Sequence, residues 1–367
     1  MNYEIRELRP GEAAELKRLA CPNFSVVEQI FMSKPKLGIV AGASDGSIAG
    51  SAFLVVTEAG GKKVGCIDII FVLPQHRGCS VAKQLYHAAA ESLRNRGCET
   101  VMALVRGDNS QSLRRFEAEG LHPISLYGLR KKIGFSATAA LFVKTASLAC
   151  ATGCWILYEN ADKKSIGGNG KNLLRTFGIN AVLLLCGALL GSLLRTQSNP
   201  WWNLLAALFF LAVITLGETL GRRAAGGSWR FVLPEGGLVP TAIVALLGGF
   251  YPLLGHWYLT ERENTPVYRR RMAAPAMGAW LALMAAVFAC GLLSKAHPFF
   301  GCGADLGVML LMFYILPFYP FDTFGGRRVR EHNERTYAAL ITFSIITLGC
   351  VVGGVLVSVA AALGSRI

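Results

Sequence analysis

Charge is what this chain has least of. Asp, Glu, Lys and Arg together make up 16% of its 367 residues, against 53% hydrophobic residues, and mean hydropathy is +0.42. That balance excludes an ordinary soluble protein of this length. Acidic residues are the scarcer charges, 23 against 37 basic ones, leaving a formal net charge of +14. Such an excess can signal nucleic-acid binding. Here, however, much of it lies in short loops between apolar runs, where Lys and Arg set membrane orientation, so no nucleic-acid partner is expected. Cysteine spacing suited to a metal site or a disulfide scaffold is also missing. The ten cysteines are scattered, and the nearest pair, Cys150 and Cys154, is too wide for a C-x-x-C site. Free thiols in a reducing compartment follow. The N-terminus "MNYEIRELRPGEAAELKRL" has no apolar core for a signal peptide, which places the first domain in the cytoplasm.

Up to about Arg130 the sequence mixes charged and apolar residues as a globular domain does. "YEIREL" reads as a strand and "GEAAELKRLA" as a helix; "KLGIVAGA" and "SIAGSAFLVV" are strands flanking the turn "SDGS". "KKVGCIDIIFV" is a further strand. It leads through "LPQHRGCS" into an amphipathic helix with Val81, Leu85 and Ala89 on one face. "CETVMALV" predicts another strand, and "NSQSLRRFEAEGL" a short helix ending at Gly120. The result is an α/β domain with a mixed sheet. At "PQHRGCSVAKQL" a strand gives way to a helix whose first amides lack intrahelical partners. With the helix dipole they make an anion site suited to a pyrophosphate. Gly78 permits close backbone approach and Arg77 adds charge, although an Arg-Gly pair serves turn geometry as readily.

This order of elements, with the loop and the helix "NSQSLRRFEAEGL", resembles the GNAT family of acetyl-CoA-dependent N-acetyltransferases over residues 1–130. Gln75, Gly78 and Ser80 stand at the places of the family motif Q/R-x-x-G-x-G/A. The resemblance implies acetyl-CoA as co-substrate. Its pyrophosphate would lie on the amides of Arg77, Gly78, Cys79, Ser80, Val81 and Ala82. Phe71 and Val72 would pair with the pantetheine arm, and Asn109 would hydrogen-bond it. Two positions depart from the pattern: Ser80 replaces Gly or Ala, and Phe116 stands where many members carry the tyrosine that protonates the leaving thiolate. Asp68 is the candidate general base, able to take the amine proton directly or through water; the alternative is a solvated strand residue. Residues 20–40 would form one wall of the acceptor site.

Beyond Asn172 the chain becomes long apolar runs between arginine-rich loops. Thr176–Leu194, Trp201–Leu220, Met272–Leu293, Leu306–Phe321 and Ala338–Leu363 are apolar stretches long enough for membrane spans. Leu238–Leu259 contains Pro240, Gly248, Gly249, Pro252 and Gly255, which suit a re-entrant path. Charge agrees. With Lys163, Lys164, Lys171 and Arg175 inside, a dipping segment keeps Arg222, Arg223, Arg230, Arg262 and Arg269 to Arg271 inside as well. Arg195 and Lys295 then fall outside, and Arg327, Arg328, Arg330 and Arg335 inside. The stretch "IGFSATAALFVKTASLACATGCWIL" stays open between a last strand of the first domain, an interfacial segment and a membrane-packed linker. The expected architecture is an α/β GNAT-like mixed-sheet domain over 1–130, a linker or interfacial segment over 131–172, and an all-α polytopic membrane domain over 173–367, of about five transmembrane helices plus one re-entrant segment.

In "ITLGETLGRR" and "LPFYPFDTFGGRR", Glu218 and Asp322 arrive at the same side of the membrane. Over about 173–335, these motifs and their order resemble the site-2 protease family of intramembrane zinc metalloproteases. That family's H-E-x-x-H and L-D-G motifs bind one zinc ion. Gly217 and Gly221 replace both histidines, so Glu218 and Asp322 are vestigial metal positions, no metal is expected, and a pseudoprotease is implied. His256 could supply a third ligand or be an interfacial or capping residue. Arg222, one turn on, is placed to pair with Glu218. The leading expectation is a membrane-embedded acyl-CoA N-acyltransferase of the cell membrane with its N-terminal domain cytoplasmic. Its partners would be a small-molecule or protein amine acceptor, the lipid bilayer and a transmembrane protein. The alternatives are a non-catalytic acetyl-CoA-responsive sensor or scaffold, and a protease with an unusual metal site.

Overall fold

The computed structural model describes residues 3–364 apart from 25, 60, 146–151, 162–167, 194–199, 262 and 264. The expectations resting on Cys150, Lys163, Lys164, Arg195 and Arg262 fall outside the described residues. The chain divides into two compact units. One comprises Met1–Gly167 with Glu235–Gly237, the other Gly168–Pro234 with Leu238–Ile367.

The first unit is built on a seven-stranded mixed sheet in the order β1-β2-β3-β4-β5-β7-β6. Its first strands are β1 (Glu4–Glu7), β2 (Leu37–Gly42), β3 (Ile48–Ala59), β4 (Lys62–Val72) and β5 (Thr100–Arg106). The last two are β6 (Leu121–Ile124) and β7 (Cys154–Glu159). The helices are α1 (Ala13–Ala20), α2 (Val26–Phe31), α3 (Val81–Asn95), α4 (Ser110–Ala118), α5 (Leu126–Ile133) and α6 (Phe135–Lys144). The domain therefore runs past residue 130. Part of the segment expected as a linker supplies β7, which inserts antiparallel between β5 and β6. Of the three readings of 133–157, that of a last strand holds for its end, whereas near its start the chain forms the helix α6. The physical reason is burial: Trp155 to Tyr158 of β7 are all buried, and Ile156 and Tyr158 join one core cluster.

Alternation along the strands separates the two faces of the sheet. Val64 and Cys66 of β4 share a core cluster with Leu129 and Ile133 of α5 and with Ala137 and Leu141 of α6. Phe53 and Phe71 share another with Leu16 and Ala20 of α1 and with Met32, which follows α2. Phe53 and Val55 lie two residues apart on β3, so these clusters lie on one face. Gly65, between Val64 and Cys66, lies against Leu93 of α3 on the other face. There Val81, Leu85 and Ala89 are buried, as their spacing predicts.

Among the described residues, the second unit has five helices long and apolar enough to cross a membrane. Their candidate spans are Asn169–Leu190, Pro200–Ala225, Pro266–Leu293, Pro298–Ile315 and Glu334–Gly353. They lie in α7 (Asn169–Leu193), α8 (Pro200–Ala225), α10 (Pro266–Leu293), α11 (Pro298–Ile315) and α13 (Glu334–Gly364), with two short helices, α9 (Leu238–Leu246) and α12 (Gly326–His332). The expected span Leu306–Phe321 is displaced. Pro298 opens α11 under a His297 cap, and Leu316, extended before Pro317, ends it. Phe210, Trp280, Leu283 and Tyr314 form the centre of the core.

The segment expected to be re-entrant returns to where it starts. β8 (Trp229–Val232) pairs antiparallel with β9 (His256–Leu259), bringing Val232 beside His256. Between them the chain makes α9, turns at Gly248 and comes back without regular structure until β9. Asn180 of α7 satisfies the returning backbone at both groups of Leu253, at 2.8 and 2.9 Å. Irregular backbone among apolar helices needs such partners.

Candidate functional site

β4 and β5 run parallel and paired only from Val64–Ile67 against Thr100–Ala103. Beyond that point β4 continues to Val72 and β5 to Arg106 without pairing to each other. On its other side, β4 pairs Ile67 with Leu54 and Ile69 with Phe53. Asp68 is thus the extra residue of a bulge, sited where the strands part. A bulge adds local twist and re-aims the strand. The result is a fork whose β4 arm, Ile69–Val72, faces β5 with no ladder partner. The side chain of Phe71 is buried in the core, so only its backbone is available to a ligand, while Val72 is half-buried.

The loop after β4 closes the same end. Pro74–His76 form a single turn in which Gln75 is exposed. Gly78 then takes φ +84°, where a Cβ would meet nothing within 4 Å. Ser80 has φ 60°, left-handed for a non-glycine residue, and makes no side-chain cap. The amides of Lys83 and Gln84 bond to the Ser80 carbonyl, so those of Val81 and Ala82 belong to the partnerless first turn. Exposed Cys79 lies between two left-handed residues, and such reversals of handedness make concave anion cradles. Val81 contributes only backbone, its side chain being buried.

The Arg77 side chain is held by two hydrogen bonds. Its Nη2 donates to Asn23 Oδ1 at 2.8 Å and its Nε to the Val72 carbonyl at 3.3 Å. It fastens the loop to the turn before α2, which belongs to the expected acceptor wall. Tyr3 was not legible as a site residue. Its hydroxyl lies 3.3 Å from His76 Nδ1, and its pKa is raised, first by desolvation and then by hydrogen bonding to Cys79. Nothing in the composition of the N-terminus signals this long-range contact.

Asp68 is half-buried, and the Cys66 thiol is pushed well up by burial and then by the Asp68 charge. Asn109 caps α4, its Oδ1 accepting from the Ser112 amide at 3.1 Å. The residue is otherwise exposed. Phe116 meets Tyr86 of α3 edge-on, with ring centroids 4.9 Å apart. Burial, and then the charge of Glu159, raises the Tyr86 phenol far above its ordinary value.

In the second unit Glu218 and His256 are 2% and 1% exposed. Glu218 Oε1 lies 2.6 Å from His256 Nδ1. His256 is therefore neither interfacial nor a helix cap. The expected Glu218–Arg222 pair is replaced by this one, and the Arg222 guanidinium instead stacks 3.9 Å from the centre of the Trp257 ring. Asp322 is buried, with Oδ2 3.8 Å from Arg327 Nε. Among the described residues no three His, Cys, Asp or Glu side chains gather as a metal site would require. Gly217 and Gly221 have a packing function of their own. A Cβ at Gly217 would sit 2.5 Å from the Gly278 carbonyl oxygen, and one at Gly221 2.2 Å from that of Ala274. These glycines let α8 and α10 touch backbone to backbone.

Residues 4–120 match the model of the acetyltransferase (GNAT) family, a stretch that stops just before β6. No curated protein matches the chain. Among solved structures, it is similar to a chain of the NatC complex bound to Gag peptide and CoA, at 18% identity, 44% of this chain, 100% of that chain and TM-score 0.32. It is also similar to a Trypanosoma brucei acetyltransferase, at 26% identity, 32% of this chain, 92% of that chain and TM-score 0.27. A GNAT-family acetyltransferase from Brucella melitensis in complex with acetyl-CoA shares 22% identity, over 33% of this chain and 82% of that chain, with TM-score 0.27.

Proposed function

We propose that this chain is a membrane-embedded N-acetyltransferase that passes the acetyl group of acetyl-CoA to an amine on the cytoplasmic side. The observation that carries the reading is the fork between β4 and β5, which opens beside the left-handed loop Gly78–Ser80. The family match over residues 4–120 supports it. The amides of residues 77–82 would hold the pyrophosphate, and the open edge Ile69–Val72 would take the pantetheine arm as an added strand. Asn109 would reach the arm with its amide nitrogen.

The chemistry asks little of the protein. A deprotonated amine attacks the thioester carbon, and the new C–N bond forms as the C–S bond breaks. Backbone donors near Val72 stabilise the developing oxyanion. Asp68, at the fork, is placed to take the amine proton directly or through water. Phe116 has no proton to give, so the leaving thiolate takes its proton from water. CoA release measured on the full-length protein with a panel of amines tests the reading. Failure of acetyl-CoA to bind in calorimetry overturns it.

A second reading is favoured by Phe116 alone: a sensor that binds acetyl-CoA without turning it over, with the membrane unit holding a transmembrane partner. Acetyl-CoA that stabilises the fold and is recovered intact would select it. We further infer that the second unit carries no proteolytic chemistry. Its likeness to site-2 proteases rests on the order of degenerate motifs, and the backbone of α10 occupies the space that histidines at Gly217 and Gly221 would need.

A further inference from the structure

The first unit exposes its large apolar side chains on one side only. Among the described residues they are Val26 and Ile30 on α2, Tyr127 on α5, and Phe135 and Val143 on α6. α5 and α6 lie on the sheet face that carries α1, and α2 runs between Phe24 and Met32, which both pack into the α1 cluster on that face. The opposite face, covered by α3 and α4, shows none.

The pattern is sharpest on α6. Phe135, Ala139 and Val143 recur every four residues and are exposed, Phe135 to 74% and Val143 to 85%. Ala137 and Leu141 of the same helix are fully in the core. The outer stripe is therefore surplus to folding, and large exposed apolar residues in series mark an interaction surface. Exposed Arg130, Lys131, Lys132 and Lys144 border it. No acidic residue lies between Leu121 and Tyr158.

We propose that this face rests on the anionic surface of a lipid bilayer, with Phe135, Val143 and the α2 residues in the interface and the lysines among the headgroups. Apolar side chains flanked by cations match that boundary. Anionic lipids attract such clusters over a Debye length. The occupant is a bilayer and not a second copy, because two like-charged faces repel. The chain also carries helices able to span a bilayer from Asn169 onward, 25 positions after the end of α6. The proposal rests on the membrane reading of those helices and goes beyond the acetyltransferase reading. It makes the bilayer a wall beside the acceptor side of the fold, so an amine borne by a membrane amphiphile reaches the site along the surface.

The test uses full-length protein in nanodiscs of phosphatidylcholine with or without phosphatidylglycerol. A carbene precursor dissolved in the lipid is photolysed, and labelled peptides are mapped by mass spectrometry. Expected are adducts at Phe135, Val143 and Ile30, together with the spans, and stronger face labelling when phosphatidylglycerol is present. The triple variant Lys131→Gln, Lys132→Gln, Lys144→Gln should lose face labelling at least fivefold while the spans label as before. Unchanged acetyl-CoA affinity in that variant shows that the unit is folded. Labels confined to residues 169–353 in both lipids would overturn the proposal, as would cross-links from this face to a second copy. Labels missing from the spans as well would instead refute the membrane reading beneath it.

Discussion

Asp68 shows how far a single residue could be read in advance. Its strand was legible from "CIDIIFV", but the bulge was not, because it depends on how Leu54 and Phe53 count across from Ile67 and Ile69. Asp68→Asn should lower kcat about 100-fold or more, leave KM for acetyl-CoA unchanged, and remove the acid limb of the pH–rate profile. Steady-state kinetics from pH 5 to 9 would show it. Glu12 offers a cleaner electrostatic case. Arg6 bonds it at 2.6 and 2.8 Å and the Arg9 amide at 2.9 Å. The Arg6 hydrogen bonds, more than any other cause, hold its carboxyl below the usual carboxylate range. A carboxylate depressed in the folded state stabilises above its unfolded pKa, and that gain disappears as pH falls through the lower folded value. Glu12→Gln should therefore weaken β1 and α1 at pH 7 by about 1 kcal/mol. It should also flatten the loss of their amide-exchange protection below about pH 5. Glu218 was visible as an anomalous carboxylate, yet its partner stands 38 positions away and no local spacing could name it. Removing either member of a buried pair strands the other. Glu218→Leu or His256→Leu alone should cost about 3 kcal/mol. The double variant should cost much less than the sum when unfolding is followed in detergent.

At the scale of elements, the helices and strands up to β5, apart from the short α2, were readable because their periods are local and their turns carry Gly, Asp or Pro. β7 was not. "CWIL" is short and buried on both sides, so alternation cannot distinguish it from part of an apolar helix. The loop "PQHRGCS" was readable for a different reason: left-handed positions and a helix start lie within a few residues of each other. The glycines of "LGETLG" were misread in part, since absent histidines and a packing stripe look identical in sequence. Contact with α10 separates them. Gly217→Ala would drive a methyl group into the Gly278 carbonyl and should cost about 1–3 kcal/mol by overpacking. The expected readout is a lower melting temperature in detergent with acetyl-CoA binding retained.

The whole molecule joins a mixed-sheet unit to a unit whose described residues include five helices long and apolar enough to cross a membrane, and its apolar bias comes from the second. The five long apolar helices were legible because a run of that length stands out from the arginine-rich loops around it, although the fourth lies earlier than expected. Cysteines placed one at a time near Arg230, Arg270 and Arg330 should react with an impermeant thiol reagent from the same side as the first unit. One at Lys295 should react only from the other, and any exchange of sides would refute the topology. The insertion of β7 also has a consequence for biosynthesis. The sheet stays open along β5 until Glu159 has been made, and the first membrane-capable helix starts at Asn169. A nascent chain therefore completes its sheet and begins its first long apolar helix, among the described residues, almost together. An edge that would invite aggregation in a waiting chain is closed before that apolar helix is made.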